Sequence, residues 1–471
     1  MPAQVRRSWD IPALDGVRGM AILLVLWCHI HGISFDASTQ WLLAFKGASG
    51  FLGIFLFFVL SGFLLFLPYA RALLEHGRWP SARRFYGRRM LRILPVYYAV
   101  LLVPLGLAVL AAHVSVISNG LNTLHYYVPP VPNKRTLLFL FALLHDLRAD
   151  TWSYILQTNT PLWSLAVEWQ FYLILPWFAP LLRALHRRAG AVGLVGGLLA
   201  LMAYALGVRA IAAATFYAWG YPTVLQAPQP LGIVLTLLYG MNGKYLELFA
   251  LGMLTSVVYV AAQAGHLARA RQRLVSAAER VRLAPLATRL QLALTILVIA
   301  VGLPLNELWL QSAGLIPIPA PAYPGRWPQE AAGAWIWSVF GPWAMALCMA
   351  GLIVGALFGP GWLRALWAWR PLRLLGLISY SLYVWHALVI HLWDSLWNVY
   401  WSGASVVWYI LGFIAALLVV GVLSYFGIER PFLRSRQTGA FALSRLLARV
   451  PFLPAPLRPP DPAMGATPGS D

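Results

Sequence analysis

The sequence predicts an all-α protein, a polytopic bundle of about ten transmembrane helices with both termini in the cytoplasm. Three observations carry that prediction. Of 471 residues, 60% are hydrophobic and only 11% are charged, against about 25% charged in an ordinary soluble domain. Apolar runs of about 20 residues recur along the chain, each long enough to cross the roughly 30 Å hydrocarbon layer. They are continuous rather than alternating, which selects helices over barrel strands. Finally, 35 Lys+Arg face 15 Asp+Glu, and the excess lies between the apolar runs rather than in one basic domain. That distribution excludes a nucleic-acid-binding class and matches the positive-inside pattern of membrane proteins.

Taken in order, spans are expected near 12–33, 48–70, 93–112, 161–182, 191–214, 245–263, 290–309, 333–358, 374–396 and 405–427. With the N-terminus inside, 27 of the 35 basic residues fall on inner segments and seven on outer ones, with Arg18 inside the first span. Arg209 is counted among the outer seven. The first run carries Asp15 and Arg18 and reads as a retained helix, not a cleavable signal. Stretches 136–144 and 230–241 are too short to cross and are expected as interfacial pieces. The outer connection 113–160, rich in His, Tyr, Pro and Asn, and the stretch 310–332 are expected to cover a site. Residues 1–436 form the transmembrane domain. Residues 437–471 form a Pro-rich cytoplasmic tail without periodicity, expected to be disordered. The cysteines, Cys28 and Cys348, lie in apolar segments and make no disulfide or metal pattern.

Ionisable side chains inside a membrane are costly and mark function. Here they are Asp15, Arg18, His29, Glu168, Glu247, His386, His391 and Asp394. Eleven residues separate Arg18 from His29, about three helical turns, so both share one face about 16 Å apart. Glu168 lies about seven residues in from the outer end of its span, at a depth similar to that expected for His29. A carboxylate beside an imidazole is the acid–base pair that acyl transfer to a hydroxyl needs. The structural alternative is a topology anchor at Arg18 and an interhelical brace at Glu168. His29 and His31 point about 200° apart on a helix, and no HExxH or Cys cluster exists, so no metal site is expected. Ser61, in FFVLSGFLL, offers a hydroxyl nucleophile, although a Ser-Gly pair in a span also serves close helix packing. Arg88, Arg89 and Arg92 end an arginine-rich inner segment. They suit either the phosphates of a nucleotide-bearing donor or anionic lipid.

These residues resemble acyltransferase family 3, the bacterial integral-membrane acyltransferases. The motifs, in the family's order, are IPALDGVRGMAILLVLWCHI, FFVLSGFLL, FYGRRMLRILPVYY, LWSLAVEWQFYLILP, ISYSLYVWHALVIHLW and FGIERPFL. Together they span most of the chain. The resemblance implies a multi-pass protein of the bacterial inner membrane that O-acylates a glycan, glycolipid or related lipid-linked acceptor. The donor implied is cytoplasmic acyl-CoA, often acetyl-CoA, used as a substrate with no tightly bound cofactor. Arg18 and His29 match the family's Arg–His pair, His29 as general base, and Glu168 and His386 match its Glu and His. Asp15, Trp163, Ser164 and Tyr383 lie in the same motifs and join Arg18, Ser61, Arg88, Arg89, Arg92 and His386 as expected substrate-binding residues. Trp169 departs from the pattern, standing where many relatives carry a second acidic residue. Many relatives also carry a C-terminal hydrolase-like domain, and completion of transfer by the membrane domain or a partner is expected here. The expected mechanism is direct transfer. A ping-pong route through Ser61 is the alternative among enzymes, and a transporter or flippase of a lipid-linked glycan is the alternative among other classes.

Overall fold

The computed structural model describes residues 11–30, 40–124, 126–127, 129–219, 245–264 and 329–438. Every regular element among them is helical. Helix α1 (Pro12–His29) begins with a proline in its first turn, where the missing N–H is an orphan anyway. It is followed by α2 (Gln40–Leu74) and α3 (Ala82–His113). A layer of short pieces comes next: α4 (Ser115–Thr123), α5 (Lys134–Phe141), a 3-10 turn (His145–Leu147) and α6 (Ala149–Thr158). Then come α7 (Leu162–Trp219), α8 (Leu246–Gln263), α9 (Gln329–Phe358) and α10 (Gly361–Trp367). The described chain ends with α11 (Arg370–Tyr400), α12 (Val406–Ser424), a π-helical turn (Tyr425–Glu429) and α13 (Arg430–Thr438).

Among the described residues, eight helices are long and apolar enough to cross a membrane. One of them is a hairpin. As a straight rod, the 58 residues of α7 would reach about 87 Å, nearly three hydrocarbon layers. The helix breaks at Ala189 and Gly190, and Gly190 takes φ 58°, a left-handed conformation that glycine adopts without Cβ strain. Beyond the break, Gly193 closes on the Leu185 carbonyl and Gly197 on the Leu182 and Leu185 side chains. The two arms therefore run antiparallel and correspond to the separate spans expected near 161–182 and 191–214. The expected span 290–309, the stretch 230–241, residues 310–328 and the tail beyond 438 lie outside the described residues.

Three expectations are corrected. The arginine-rich segment before residue 93 is mostly helix, because α3 already starts at Ala82. Arginine is a good helix former whose long stem lets the charge reach the interface from a helical backbone. Helix α1 stops at His29, four residues before the expected end. Arg209 is not on an outer connection: it lies in the second arm of α7, buried in an ion pair with buried Glu247 of α8. A carboxylate so deep needs an opposite charge, and that need draws Arg209 inward.

Helices α1 and α11 form a close seam. Gly19 lies against the Leu372 carbonyl and Gly376 against the Asp15 carbonyl, and beside the seam Gly16 lies against the Trp367 carbonyl of α10. Further along, the rings of His29 and His386 lie 4.8 Å apart. Gly19 and Gly376 also face each other directly, and that pair keeps the same sequence offset as His29 and His386, so the helices run parallel along their shared length. A Cβ at residue 376 would collide with backbone. Gly376→Val is therefore expected to lower the Tm of the detergent-purified protein and broaden its size-exclusion peak, with an overpacking cost of about 1–3 kcal/mol. A wild-type Tm would show that the seam is looser than this.

The short layer α4–α6 is pinned to the bundle at the end opposite the arginines. His145 is fully buried, its Nε2 3.1 Å from the Leu162 carbonyl, and burial pushes its imidazole down to about 4. Gln170 of α7 donates to Asp146 at 2.8 Å. The Asn159 side chain donates to the Val384 carbonyl at 3.0 Å. The expected interfacial piece at 136–144 is α5 and the turn that follows it.

Candidate active site

Five helices meet around one narrow cavity of about 90 Å³. Its polar wall comes from Arg18 of α1, Ser61 of α2, Arg89 and Arg92 of α3, Ser164, Glu168 and Tyr172 of α7, and Ser379, Tyr380 and Tyr383 of α11. Side chains from Ile54 to Leu65 make much of the apolar wall. The convergence follows from helical spacing. On α3, Phe85, Ile93, Val96 and Tyr97 form the buried stripe, and Arg89 falls on it one turn after Phe85. On α7, Glu168 and Tyr172 are four apart and share a face.

Glu168 is the centre of the hydrogen bonding. Ser61 Oγ donates to its Oε1 at 2.5 Å, and Tyr172 Oη donates to the same oxygen at 2.5 Å. The Arg89 guanidinium lies 5.4 Å from the Tyr172 ring centre, a cation–π distance. Arg18 is held by Asp15 at 2.9 Å, one turn before it on α1. Three guanidiniums thus face a cavity whose wall carries one carboxylate, with Asp15 engaged on Arg18. The excess of positive charge suits an anionic group such as a phosphate.

The two histidines stand beyond this cavity, toward the short-helix layer. His29 Nδ1 is 2.9 Å from the Val25 carbonyl. A carbonyl only accepts, so Nδ1 is the donor there, and in the neutral ring Nε2 is the basic nitrogen. His386 repeats the arrangement, with Nδ1 2.5 Å from the Tyr383 carbonyl. Its Nε2 is buried and has no hydrogen-bond partner among the described residues. Tyr383 separates the histidines from the cavity. Its ring lies 5.5 Å from that of His386, and its hydroxyl is fixed by the Pro161 carbonyl at 2.8 Å and Ser164 Oγ at 2.5 Å.

The expected contact between His29 and Glu168 is not made. The ring beside His29 is His386, and the partners of Glu168 are Ser61 and Tyr172. Helix α11 acts as a ruler for the reason: His29 is level with His386, while Glu168 faces the same cavity as Tyr380. Six residues of helix rise separate those levels by about 9 Å. The expectation assumed that α1 continues past His29, and it does not. The continuous polar passage expected from the arginines to His29 is likewise interrupted at Tyr383, and neither His29 nor His386 lines the cavity.

Of the other expected site residues, Arg18, Ser61, Arg89, Arg92, Ser164 and Tyr383 line the cavity. Arg88 does not. One residue turns a helix by about 100°, which takes Arg88 off the buried stripe that holds Arg89. Trp163 packs in the core with Phe58 and Tyr245, ring centres 6.3 and 5.6 Å away. His31 lies outside the described residues. Sequence reasoning missed Tyr172, Tyr380 and Glu429. The first was legible as the i+4 neighbour of Glu168, and Tyr380 sits in the ISYSLYVWH motif. Glu429 is buried, accepts from Ser381 at 2.9 Å and lies within Coulombic reach of Arg92 and Arg18. It is turned inward by a π-helical turn, a feature common at functional sites.

Comparison with known proteins bears on this site. No solved structure matches the chain. It is 26% identical over 453 residues to YrhL of Bacillus subtilis, provisionally named a peptidoglycan O-acetyltransferase, covering 92% of this chain and 56% of that protein. It is 30% identical over 179 residues to the peptidoglycan O-acetyltransferase OatA of Listeria monocytogenes, 36% of this chain and 24% of that one. A Staphylococcus aureus protein provisionally named an O-acetyltransferase is 28% identical over 166 residues, 35% of this chain and 24% of its own length. The chain thus spans little more than half of the first relative and about a quarter of the others. The profile of the acyltransferase domain family matches residues 11–425, nearly the whole described bundle. On that match the chain belongs to acyltransferase family 3.

Proposed function

We propose that the chain is a membrane O-acetyltransferase that moves an acetyl group from acetyl-CoA to a hydroxyl of a cell-envelope glycan. The names of the relatives, two of which specify peptidoglycan, support a glycan acceptor. In this proposal the protein lies in the bacterial inner membrane with ten spans, both termini are cytoplasmic, and the arginine end of the bundle faces the cytoplasm. The single observation that carries the reading is a cationic cavity whose wall at Tyr383 lies one helical turn from a pair of facing imidazoles, His29 and His386. Arg89, Arg92 and Arg18 hold the anionic part of the donor. The thioester passes Tyr383 to reach His29 as that ring turns aside. The acceptor hydroxyl attacks the thioester carbonyl while His29 Nε2 takes its proton. The tetrahedral intermediate collapses, the acetyl ester forms, and the coenzyme A thiolate leaves and is reprotonated. Glu168 holds Ser61 and Tyr172 and balances the arginines, so it orders the cavity rather than orienting His29.

One observation favours a second route. Ser61 Oγ donates to Glu168, so a carboxylate stands ready to take its proton, and an acetyl-Ser61 intermediate is the alternative to direct transfer. The test uses the full chain in nanodiscs with labelled acetyl-CoA and an N-acetylglucosamine tetrasaccharide. Label is expected in the glycan or, without acceptor, in free acetate, and is expected to be absent from the protein. Stable label on Ser61 would replace the direct route. Absence of any thioester cleavage would remove the enzymatic reading.

A further inference from the structure

A second cavity lies at the opposite end of the bundle from the arginines. It is larger, about 350 Å³, and is walled by α3, the segment after α4, α6 and the end of α11. Its polar groups are Gln157 and Thr158 on one side and His391, Asp394, Ser395 and Asn398 on the other, with Tyr126 and Tyr127 between them. The volume falls within the range of pockets that take small molecules, about 300–1,000 Å³.

Its placement relates it to the site already described. His391, Asp394, Ser395 and Asn398 recur at three- and four-residue intervals, so they project from one side of α11. That side continues down the helix to Tyr380, which lines the inner cavity. Between the two walls, Asn159, next to Thr158 of the outer cavity, donates to the carbonyl of Val384, next to Tyr383 of the inner one. His391 is five residues beyond His386, about 7.5 Å along the axis. The level of the two histidines therefore lies between the inner cavity and the outer groove.

The chemistry of the two cavities is opposite. Three arginines line the inner one, whereas no Lys or Arg lines the outer one among the described residues. A phosphate or other anion would find no cation there and would meet the Asp394 carboxylate. The outer groove instead offers carboxylate, amide and hydroxyl groups beside tyrosine rings. Asp394 is oriented by the Tyr409 hydroxyl of α12, and the Tyr127 hydroxyl lies 3.4 Å from Gln157 Oε1. Hydroxyl-rich molecules with apolar ring faces match this mixture, using their hydroxyls toward the polar wall and their C–H faces against tyrosine.

We propose that this groove is the acceptor subsite and that it binds a neutral saccharide, with Asp394, Asn398 and Gln157 bonding its hydroxyls and Tyr126 and Tyr127 packing on its rings. The assignment rests on the acetyl-transfer reading for the reason the saccharide is there, but its binding can be read separately. Saturation-transfer NMR and titration calorimetry would use the full chain in nanodiscs with an N-acetylglucosamine tetrasaccharide and with maltotetraose. Wild type is expected to bind at least one of them. Asn398→Ala and Gln157→Ala, both exposed positions, are expected to weaken that binding at least tenfold together, with Tm and size-exclusion profile unchanged. Asp394→Asn provides a second measurement and is expected to weaken it as well. Failure of wild type to bind either glycan, or binding that survives all three substitutions, overturns the assignment. Thioester cleavage by wild type, measured without glycan, reports on the acetyl-transfer reading alone, so the two can fail independently.

Discussion

Replacing His29 by alanine is expected to lower acetyl transfer by about 10²–10⁴-fold, the usual worth of a positioned general base, with acetyl-CoA affinity close to wild type. The Val25 carbonyl accepts from Nδ1, so in the neutral ring the basic nitrogen is Nε2. That nitrogen belongs to the last residue of α1. The glycine seam below it sets the height of α1 against α11 and so keeps His29 against His386. His29→Gln should be nearly as damaging, since an amide preserves shape and hydrogen bonding but has no basicity at neutral pH. The measurement is steady-state transfer of labelled acetyl to the tetrasaccharide, with donor affinity taken from a separate titration. If His29→Ala retains most of its activity while Ser61→Ala loses it, the base is Glu168 and the route runs through the serine.

The second large effect concerns the donor. Arg89→Ala and Arg92→Ala are each expected to weaken acetyl-CoA binding by about 10–150-fold, because a hydrogen bond to a charged group contributes about 1.5–3 kcal/mol. Arg88→Ala is expected to change it by no more than about twofold. This contrast separates the cavity from a general electrostatic role. A general role as topology anchors would make the three arginines equivalent, but only Arg89 and Arg92 line the cavity. Calorimetric titration of acetyl-CoA into nanodisc-embedded variants gives the answer. Equal losses at all three positions, or none, would mean that these side chains are topology anchors and that the donor binds elsewhere.

The two effects belong to different levels of the bundle, which bears on Glu168. Sequence spacing suggested that His29 and Glu168 work as one unit. In the fold they are separated by Tyr383 and about 9 Å of depth. Glu168 instead gathers Ser61 and Tyr172 beneath the arginines. A carboxylate in that place lowers the repulsion among Arg18, Arg89 and Arg92, which would otherwise face one another across a narrow, weakly screened space. Its loss would accordingly disturb donor binding more than proton transfer.

The sequence alone determined what short-range rules govern. Runs of apolar residues long enough for a bilayer dictated helices, and the near-absence of charge within them identified Arg18, His29, Glu168 and His386 as exceptional. Helical period placed Arg18 and His29 on one face, and the order of six motifs named the family. What it could not determine depended on where helices stop and how deep they sit against one another. Four residues at the end of α1 moved His29 away from Glu168. A rotation of one residue made Arg89 rather than Arg88 line the cavity. A π-helical turn brought Glu429 inward, and burial of Glu247 pulled Arg209 into the bundle. Each outcome was decided by tertiary structure, because helix ends, depth and rotation are fixed by contacts between residues far apart in the chain, such as Gly19 with Leu372 and Ser164 with Tyr383. Local periodicity carries no record of those contacts.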